Sequence, residues 1–362
     1  MARIALIPGD GIGVEVTREA ARLLRALGEA KRVPVELTEW DFGAERYLRT
    51  GSAITDEEMA QLETEYDAIF LGAIGDPRVP DHAHARAILL GLRFRLDLYV
   101  NLRPVRLYDP RLSPLRDVRN EDVDLVIFRE NTEGVYVGMG GNFKKGTPDE
   151  VAIEEDVNTR KGVERIIRAA FEYARSRGRQ RVTLTDKANA MPYGGGLYRR
   201  VFAEVAREFD GIETEAIYAD ALALDLVRRP GRYDVIVAPN LFGDILSDLA
   251  AALAGSLGIA PTGNIDPERR YPSMFEPIHG SAFDIMGKGL ANPIGTFWSC
   301  VMLLEHLGEQ ATAARLMSAI ESVTSDPSLR TRDLGGTATT DQVTAAICAA
   351  IGAASATMQP TA

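Results

Sequence analysis

Short apolar runs alternate with amphipathic segments along most of the chain. The runs are about four to eight residues long and rich in valine and isoleucine, which is typical of buried strands. The predicted strands are Arg3–Ile7, Tyr66–Leu71, Asp124–Phe128, Arg181–Thr185, Glu213–Tyr218 and Tyr233–Ala238. Apolar residues at helical spacing predict helices between them, including Val14–Leu27, Val163–Arg175 and Leu197–Phe209. This alternation predicts an α/β fold.

The most informative segment is Asn240–Asp248, which follows the strand Tyr233–Ala238 and opens an amphipathic helix. Asp244 and Asp248 are one turn apart and therefore share a helical face. Because α/β proteins bind ligands where strands lead into helices, the two carboxylates predict a site for Mg²⁺ or Mn²⁺. The alternative is a solvated acidic helix start, since an aspartate there offsets the helix dipole.

Arginines mark a candidate anion site. A helix predicted over Ala85–Leu96 places four residues on one face, and these are Arg86, Leu89, Leu90 and Arg93. Arg103 follows in the next apolar segment, and Arg129 ends a third. Guanidinium groups pair bidentately with carboxylates, so a set of arginines suits a dicarboxylate substrate. Each of them alone is more typical of a solubilising surface residue.

Composition narrows the class of protein. With 362 residues and 46% hydrophobic content, the chain can bury a large core and form two domains. Its net charge of −11 disfavours binding to nucleic acid or to an anionic membrane. Cys300 and Cys348 are its two cysteines, which argues against a disulfide framework and predicts a reducing compartment. Because no apolar stretch reaches membrane-spanning length, a cytoplasmic protein is expected.

Other sequence patterns exclude competing classes. The glycine-rich segment Pro8–Gly13 follows a strand and opens a helix, but its G-x-G-x-G spacing is not the dinucleotide fingerprint. It predicts a tight turn with close backbone approach. The four histidines are too scattered for a zinc cluster or a nucleophilic triad, so hydrolase functions are disfavoured.

Two later motifs, Met274–Ile285 and Lys288–Pro293, complete the pattern. Together with Asn240–Asp248, they make the chain resemble the β-decarboxylating dehydrogenases that act on isopropylmalate, isocitrate, homoisocitrate and tartrate or D-malate. The resemblance runs from Ile4 to about Val343, with the motifs in the family's order.

The resemblance implies a two-domain isopropylmalate/isocitrate dehydrogenase-like fold rather than a classical Rossmann fold. It implies a discontinuous cofactor-side domain of residues 1–98 plus 255–362, and a dimerisation and metal-site domain of residues 99–254. It also implies a homodimer whose active sites are shared, with Lys187 and Asp220 supplied by the opposite subunit.

The same resemblance assigns roles to residues. Lys187 matches the family's base, which takes the 2-hydroxyl proton, and Tyr136 matches the acid, which protonates C3. The implied substrate residues are Arg93, Arg103, Arg129, Leu89 and Leu90, and the implied metal ligands are Asp220, Asp244 and Asp248. The implied cofactor residues are Ile12, His279, Gly280, Ser281, Ala282, Asp284, Ile285 and Asn292.

Asp284 indicates which cofactor is used. A carboxylate at an adenosine ribose accepts a hydrogen bond from the 2′-hydroxyl and repels a 2′-phosphate, so NAD is expected rather than NADP. The alternative is that Asp284 merely caps a helix after Ser281.

Substrate identity is the open point. Leu89–Arg93 resembles the isopropylmalate enzymes, which favours an apolar C3 substituent. Asp266–Ser273 and Thr296–Trp298 are more similar to tartrate/D-malate dehydrogenases, and Arg86 leaves a charged substituent possible. Homoisocitrate-like acids rank third. A catalytically silent regulatory subunit is the alternative from another class, although Lys187, Tyr136 and the three aspartates argue against it.

Overall fold

A computed structural model describes residues 1–29 and 33–352. Helices and strands alternate along these residues, as predicted. The strands are β1 (Ala2–Gly9), β2 (Val35–Glu39), β3 (Ala68–Ala73), β4 (Val100–Arg106), β5 (Asp124–Glu130), β6 (Gly140–Phe143), β7 (Val151–Glu154), β8 (Arg181–Asp186), β9 (Glu213–Tyr218), β10 (Val235–Ala238), β11 (Pro261–Ile265) and β12 (Ser273–Pro277). The helices are α1 (Ile12–Glu29), α2 (Ala44–Thr50), α3 (Asp56–Glu65), α4 (Ala83–Ala85), α5 (Gly91–Arg95), α6 (Arg160–Ser176), α7 (Pro192–Ala206), α8 (Ala219–Arg228), α9 (Asn240–Leu253), α10 (Ile294–His306), α11 (Gln310–Ser325) and α12 (Thr340–Ala350).

The chain divides into two compact units. Unit 1 comprises Met1–Leu98, Tyr108–Pro114 and the chain from Ala254 on, and unit 2 comprises Tyr99–Leu107 and Leu115–Leu253. The strands of unit 1 lie in the order β2-β1-β3-β12-β11. Its first four strands are parallel, and β11 is antiparallel to β12. All six residues of β3 are buried, as expected for a central strand covered on both faces.

Unit 2 contains strands in the order β4-β5-β10-β8-β9. Strands β5, β10, β8 and β9 are parallel, and β4 runs antiparallel to β5. Helix α6 covers the sheet with an apolar face that includes Ile166, Ile167 and Phe171, all fully buried. The short strands β6 and β7 form a separate antiparallel hairpin whose residues are exposed.

The predicted strands are all present within a few residues, and the predicted α/β class is confirmed. The prediction of one regular α-helix over Ala85–Leu96 is wrong, because Arg86–Leu90 forms a π-helical turn between α4 and α5. A π turn advances less per residue than an α turn. As a result, Arg86 is exposed while Arg93 is 5% exposed, so the two arginines do not share a face.

Among the described residues, no helix is long and apolar enough to cross a membrane.

Candidate active site

The first turn of α9 packs against the end of β5. Gly243 makes this possible, because a Cβ there would lie 2.7 Å from the Cβ of Arg129. Arg129, the next-to-last residue of β5, is only 1% exposed. The junction between β10 and α9 therefore brings a buried guanidinium directly against the Asn240–Asp248 segment.

Asp244 is the centre of this cluster in unit 2. Arg129 Nη1 donates to Asp244 Oδ1, and Arg129 Nε donates to Asn240 Oδ1 at 2.9 Å. The hydroxyl of Tyr136 donates to Asp244 Oδ2 at 2.6 Å, and the Arg129 guanidinium lies 5.0 Å from the Tyr136 ring centroid. Such charge-assisted hydrogen bonds hold a predicted acid and a predicted metal ligand in one arrangement.

Arg103 approaches the same helix face. Its Nη1 donates to Ser247 Oγ at 2.6 Å and lies 3.1 Å from Asp244 Oδ1 and 3.6 Å from Asp248 Oδ1. Arg103 Nε donates to Asn101 at 2.7 Å. Partial burial raises the pKa of Asp248, the positive charge of Arg103 opposes that rise, and the charge of Asp244 adds to it. Two carboxylates and two guanidinium groups thus share one small region.

Three of these contacts involve residues that the sequence analysis did not assign. Asn240 holds Arg129 and donates from Nδ2 to the backbone oxygen of Glu133 at 2.8 Å. Ser247 and Asn101 hold Arg103. Asn240 and Ser247 lie inside the Asn240–Asp248 motif. Their position on the first two turns of the predicted helix, beside Asp244, could have identified them as residues of the site.

Lys187 follows β8 and forms an ion pair with Asp220, the second residue of α8, at 2.6 Å. The hydrogen bond from Lys187 lowers the pKa of Asp220. The preceding residue, Asp186, is fully buried and accepts from the backbone of Ala188 at 2.6 Å and from Arg199 Nε at 2.7 Å. Asp186 therefore fixes the turn that presents Lys187.

The donor set suits a hard cation in its chemistry, because Asp220, Asp244 and Asp248 all supply carboxylate oxygens. Asp220 and Asp248 are more than half exposed at their side chains, at 69% and 54%, so their oxygens are accessible. Within the described part of one chain, no three acidic, histidine or cysteine side chains are grouped to bind a metal ion.

In unit 1, the glycine-rich segment lies against the Met274–Ile285 motif. Ile12 N donates to the backbone oxygen of Ser281 at 2.8 Å, and Ile12 packs with Ala282, Ile285 and Ala291. Gly11 has a φ of +56°, and a Cβ there would lie 1.9 Å from the Ser281 oxygen. Only glycine fits this close approach. Four of the predicted cofactor residues are thus adjacent.

Several side chains next to this contact are open to a ligand. His279 Nε2 is buried without a partner among the described residues, and burial lowers the pKa of His279. The carboxylate of Asp284 is exposed, and the segment after Ser281 is a series of turns rather than a helix. A neutral imidazole and a free carboxylate fit the adenosine half of a dinucleotide. Gly280 is exposed, whereas Asn292 bonds Asp333 at 3.0 Å and caps Ile294 at 3.0 Å.

Arg93 also lies in unit 1, where Glu276 holds it. Arg93 Nη2 donates to Glu276 Oε1 at 3.0 Å, and Asn264 Nδ2 donates to the same oxygen at 2.8 Å. Arg93 Nε is buried with no partner among the described residues, which leaves a donor for a ligand. Leu89 packs against the core of unit 1, and Leu90 is partly buried.

The chain matches a known protein family and several known proteins. Residues 3–347 match the model of the isocitrate/isopropylmalate dehydrogenase family. The chain is 47% identical over 350 residues to a probable tartrate dehydrogenase/decarboxylase of Agrobacterium vitis, covering 96% of this chain and 97% of that protein. It is 51% identical over 319 residues to a 3-isopropylmalate dehydrogenase of Corynebacterium efficiens, covering 88% and 92%.

A solved structure resembles the fold as a whole. The crystal structure of isocitrate dehydrogenase from Methylococcus capsulatus superposes with a TM-score of 0.86 at 37% identity, covering 97% of this chain and 99% of that one. The predicted family and enzyme class are confirmed by these matches. The chain belongs to the isocitrate/isopropylmalate dehydrogenase family and is a β-decarboxylating dehydrogenase.

Proposed function

We propose that the protein catalyses the NAD- and divalent-metal-dependent oxidative decarboxylation of a 3-substituted malate. The observation that carries the proposal is the cluster around Asp244, where Tyr136 and Arg129 both hydrogen-bond its carboxylate and Arg103 lies 3.1 Å away. A dicarboxylate needs guanidinium partners, and its decarboxylation needs an acid beside a metal ligand.

The chain's own residues have distinct roles in the proposed reaction. Arg93, Arg103 and Arg129 bind the two carboxylates of the substrate. Lys187 Nζ, in its neutral form, accepts the proton of the 2-hydroxyl, and the Tyr136 hydroxyl delivers a proton to C3. When bound, NAD supplies the hydride acceptor, and Mg²⁺ or Mn²⁺ lowers the energy of the enolate that remains when CO₂ leaves. Asp220, Asp244 and Asp248 are the residues that would hold the metal.

NAD rather than NADP is supported by Asp284, whose exposed carboxylate has no side-chain partner among the described residues. It is free to accept a ribose 2′-hydroxyl and to repel a 2′-phosphate. We assign Ile12, Ser281, Ala282, Ile285, His279 and Gly280 to the same cofactor site. Asn292 belongs to the proposal as a residue that shapes the site, since its own side chain caps α10.

A homodimer with shared sites is part of the proposal. Unit 2 exposes large apolar side chains on two helices, Leu224 on α8 at 56% and Ile245 on α9 at 58%. The hairpin of β6 and β7 exposes Phe143 at 65% and Ile153 at 53%. These exposed apolar side chains are the proposed contacts between two copies of the chain. The metal site would be completed there by Asp220 from the partner subunit.

We propose the cytoplasm, a reducing compartment, as the location of the protein, because its two cysteines are free and buried.

We also propose that the two domains have different roles. Residues 1–98 plus 255–362 would hold the cofactor, and residues 99–254 would hold the metal and form the dimer interface.

Two substrate classes are supported. Leu90 is partly buried on the π-helical turn and suits an apolar C3 substituent, as in 3-isopropylmalate. The tartrate/D-malate class is supported by the Agrobacterium vitis relative, which is 47% identical over 96% of the chain. Homoisocitrate-like acids remain a third class, and a silent regulatory subunit is disfavoured because Lys187, Tyr136 and the aspartates are all retained.

One screen tests the proposal. The purified protein with Mn²⁺ and NAD should form NADH and release CO₂ from one of isopropylmalate, D-malate, tartrate, isocitrate or homoisocitrate. EDTA should stop the reaction, and NADP should be a poorer acceptor. Turnover of none of these acids, in the presence of metal and NAD, would overturn the proposed activity in favour of a silent subunit.

A further inference from the structure

An arginine-lined cavity of about 550 Å³ opens on unit 2 at the carboxyl end of α8. It lies between the loop of residues 115–118 and the segment of residues 227–232. Its charged lining residues are Arg116, Asp117, Asp122, Arg228, Arg229 and Arg232. Four arginines and two aspartates therefore line the cavity, although the whole chain carries a net charge of −11.

Two of the arginines are held in fixed positions by a buried carboxylate. Asp225 is 6% exposed and accepts from Arg229 Nη2 at 2.9 Å, from Arg232 Nη1 at 3.0 Å and from the Tyr233 hydroxyl at 2.9 Å. Arg232 Nη2 also donates to Glu215 at 2.5 Å. A guanidinium carries five N–H donors, so both arginines keep donors for a ligand.

The walls of the cavity are packed together closely. A Cβ on Gly231 would lie 3.3 Å from the Cα of Asp122, so the turn after α8 sits directly on the segment that leads into β5. The charge of Asp122 is already matched by Arg119, whose Nη2 lies 2.8 Å from it. Asp122 therefore contributes little to neutralising the cavity's arginines.

Arg116 and Arg228 have no hydrogen-bond or ion-pair partner for their guanidinium groups within residues 1–29 and 33–352. Asp117 lines the same cavity and offsets part of this positive charge, and a ligand with two or more negative charges would pair with the rest. We propose that this cavity binds a small, multiply charged anion that bears phosphate or carboxylate groups. The pre-oriented Arg229 and Arg232 reduce the ordering cost of binding, and Arg116 and Arg228 supply the unmatched charge.

The test uses pyrophosphate and citrate as separate probes, titrated calorimetrically into the full-length protein. Hydrogen exchange with and without the probe locates the site, and we expect protection in residues 115–118 and 227–232. The double variant Arg116→Gln/Arg228→Gln should weaken binding by about tenfold or more. Arg207→Gln is the matched control, because Arg207 is an exposed arginine of unit 2 outside the cavity, and it should change affinity by less than about twofold.

Binding of pyrophosphate alone would identify a phosphate-bearing ligand, and binding of citrate alone a polycarboxylate. The single variant Arg228→Gln guards against a double variant that misfolds, and unchanged circular dichroism checks this. Binding of neither probe, protection confined to other segments, or equal binding by the double variant would refute the site. None of these outcomes depends on the proposed enzymatic activity.

Discussion

The hydroxyl of Tyr136 donates a 2.6 Å hydrogen bond to the carboxylate of Asp244, although the two residues are 108 positions apart in the chain. The other oxygen of Asp244 accepts from Arg129. A single carboxylate therefore joins the proposed acid to a proposed substrate arginine. Asp244 is also one of the residues that would hold the metal, so the proposed acid lies beside the proposed metal site.

Tyr136→Phe should lower kcat by about 10²–10⁴-fold, the usual contribution of a positioned general acid. The ring and its packing remain, so the midpoint of thermal unfolding should change little. Steady-state kinetics checks this. Tyr193→Phe is the control, because Tyr193 is 91% exposed. Wild-type kcat in Tyr136→Phe would remove Tyr136 from the mechanism.

Lys187→Ala should abolish hydride transfer while leaving the fold intact. The Lys187 side chain is 27% exposed and pairs with the mostly exposed Asp220, so its loss costs little stability. Stopped-flow measurement of NADH formation in a single turnover isolates the step. The exposed Lys161→Ala serves as the control and should retain activity. A Lys187→Ala enzyme with normal NADH formation would show that another group takes the hydroxyl proton.

Asp284→Ala should reduce the preference for NAD over NADP by about tenfold or more, because repulsion of the 2′-phosphate disappears. The ratio of kcat/KM values for the two cofactors measures this. Asp284→Asn separates the charge from the hydrogen bond, since the amide can still accept from a ribose hydroxyl. A preference ratio that stays constant in both variants would mean that specificity lies elsewhere.

Leu90→Trp should shift the preference from isopropylmalate toward D-malate. If Leu90 contacts an isopropyl group, that contact is worth about 1–3 kcal/mol of discrimination over unsubstituted malate. The indole ring of a tryptophan at this position would fill the space that the isopropyl group needs. The check is kcat/KM for both acids in wild type and variant. Leu89→Met is a useful control, because Leu89 packs on the core and a volume-conserving change there should leave the ratio unaltered. A wild type that ignores isopropylmalate would support the tartrate/D-malate class.

Stability should decline in mild acid because of His306. Burial, with the nearby charge of Arg269, lowers the pKa of His306 to about 4. In the unfolded chain a histidine titrates near pH 6.5, so between about pH 6.5 and 4 only the unfolded state takes up this proton. The free energy of unfolding should therefore fall as the pH drops through that window, by at most about 3 kcal/mol from this group.

Urea unfolding at several pH values checks the size of that loss. His306→Gln should make the curve flatter between pH 6.5 and 4, whereas His82→Gln should not, because His82 is exposed. Parallel curves for wild type and His306→Gln would show that His306 does not carry the acid sensitivity.

The sequence by itself determined the fold class, the family and the order of most elements. Hydrophobic spacing is a local property, so the strand before Asn240 and the helix after it could be recognised from neighbouring residues alone. The same spacing put Asp244 and Asp248 on one helix face, and both lie there beside Arg103.

The tertiary structure alone decided which side chains distant in sequence contact each other, and which type of helix residues 86–90 form. The π turn at Arg86–Leu90 has the composition of an ordinary helix, and its wider winding separates Arg86 from Arg93. The partners of the arginines, Glu276 for Arg93 and Asn240 for Arg129, lie more than a hundred residues away in the chain. Such pairings depend on how strands and helices pack, and no local pattern in the sequence records them.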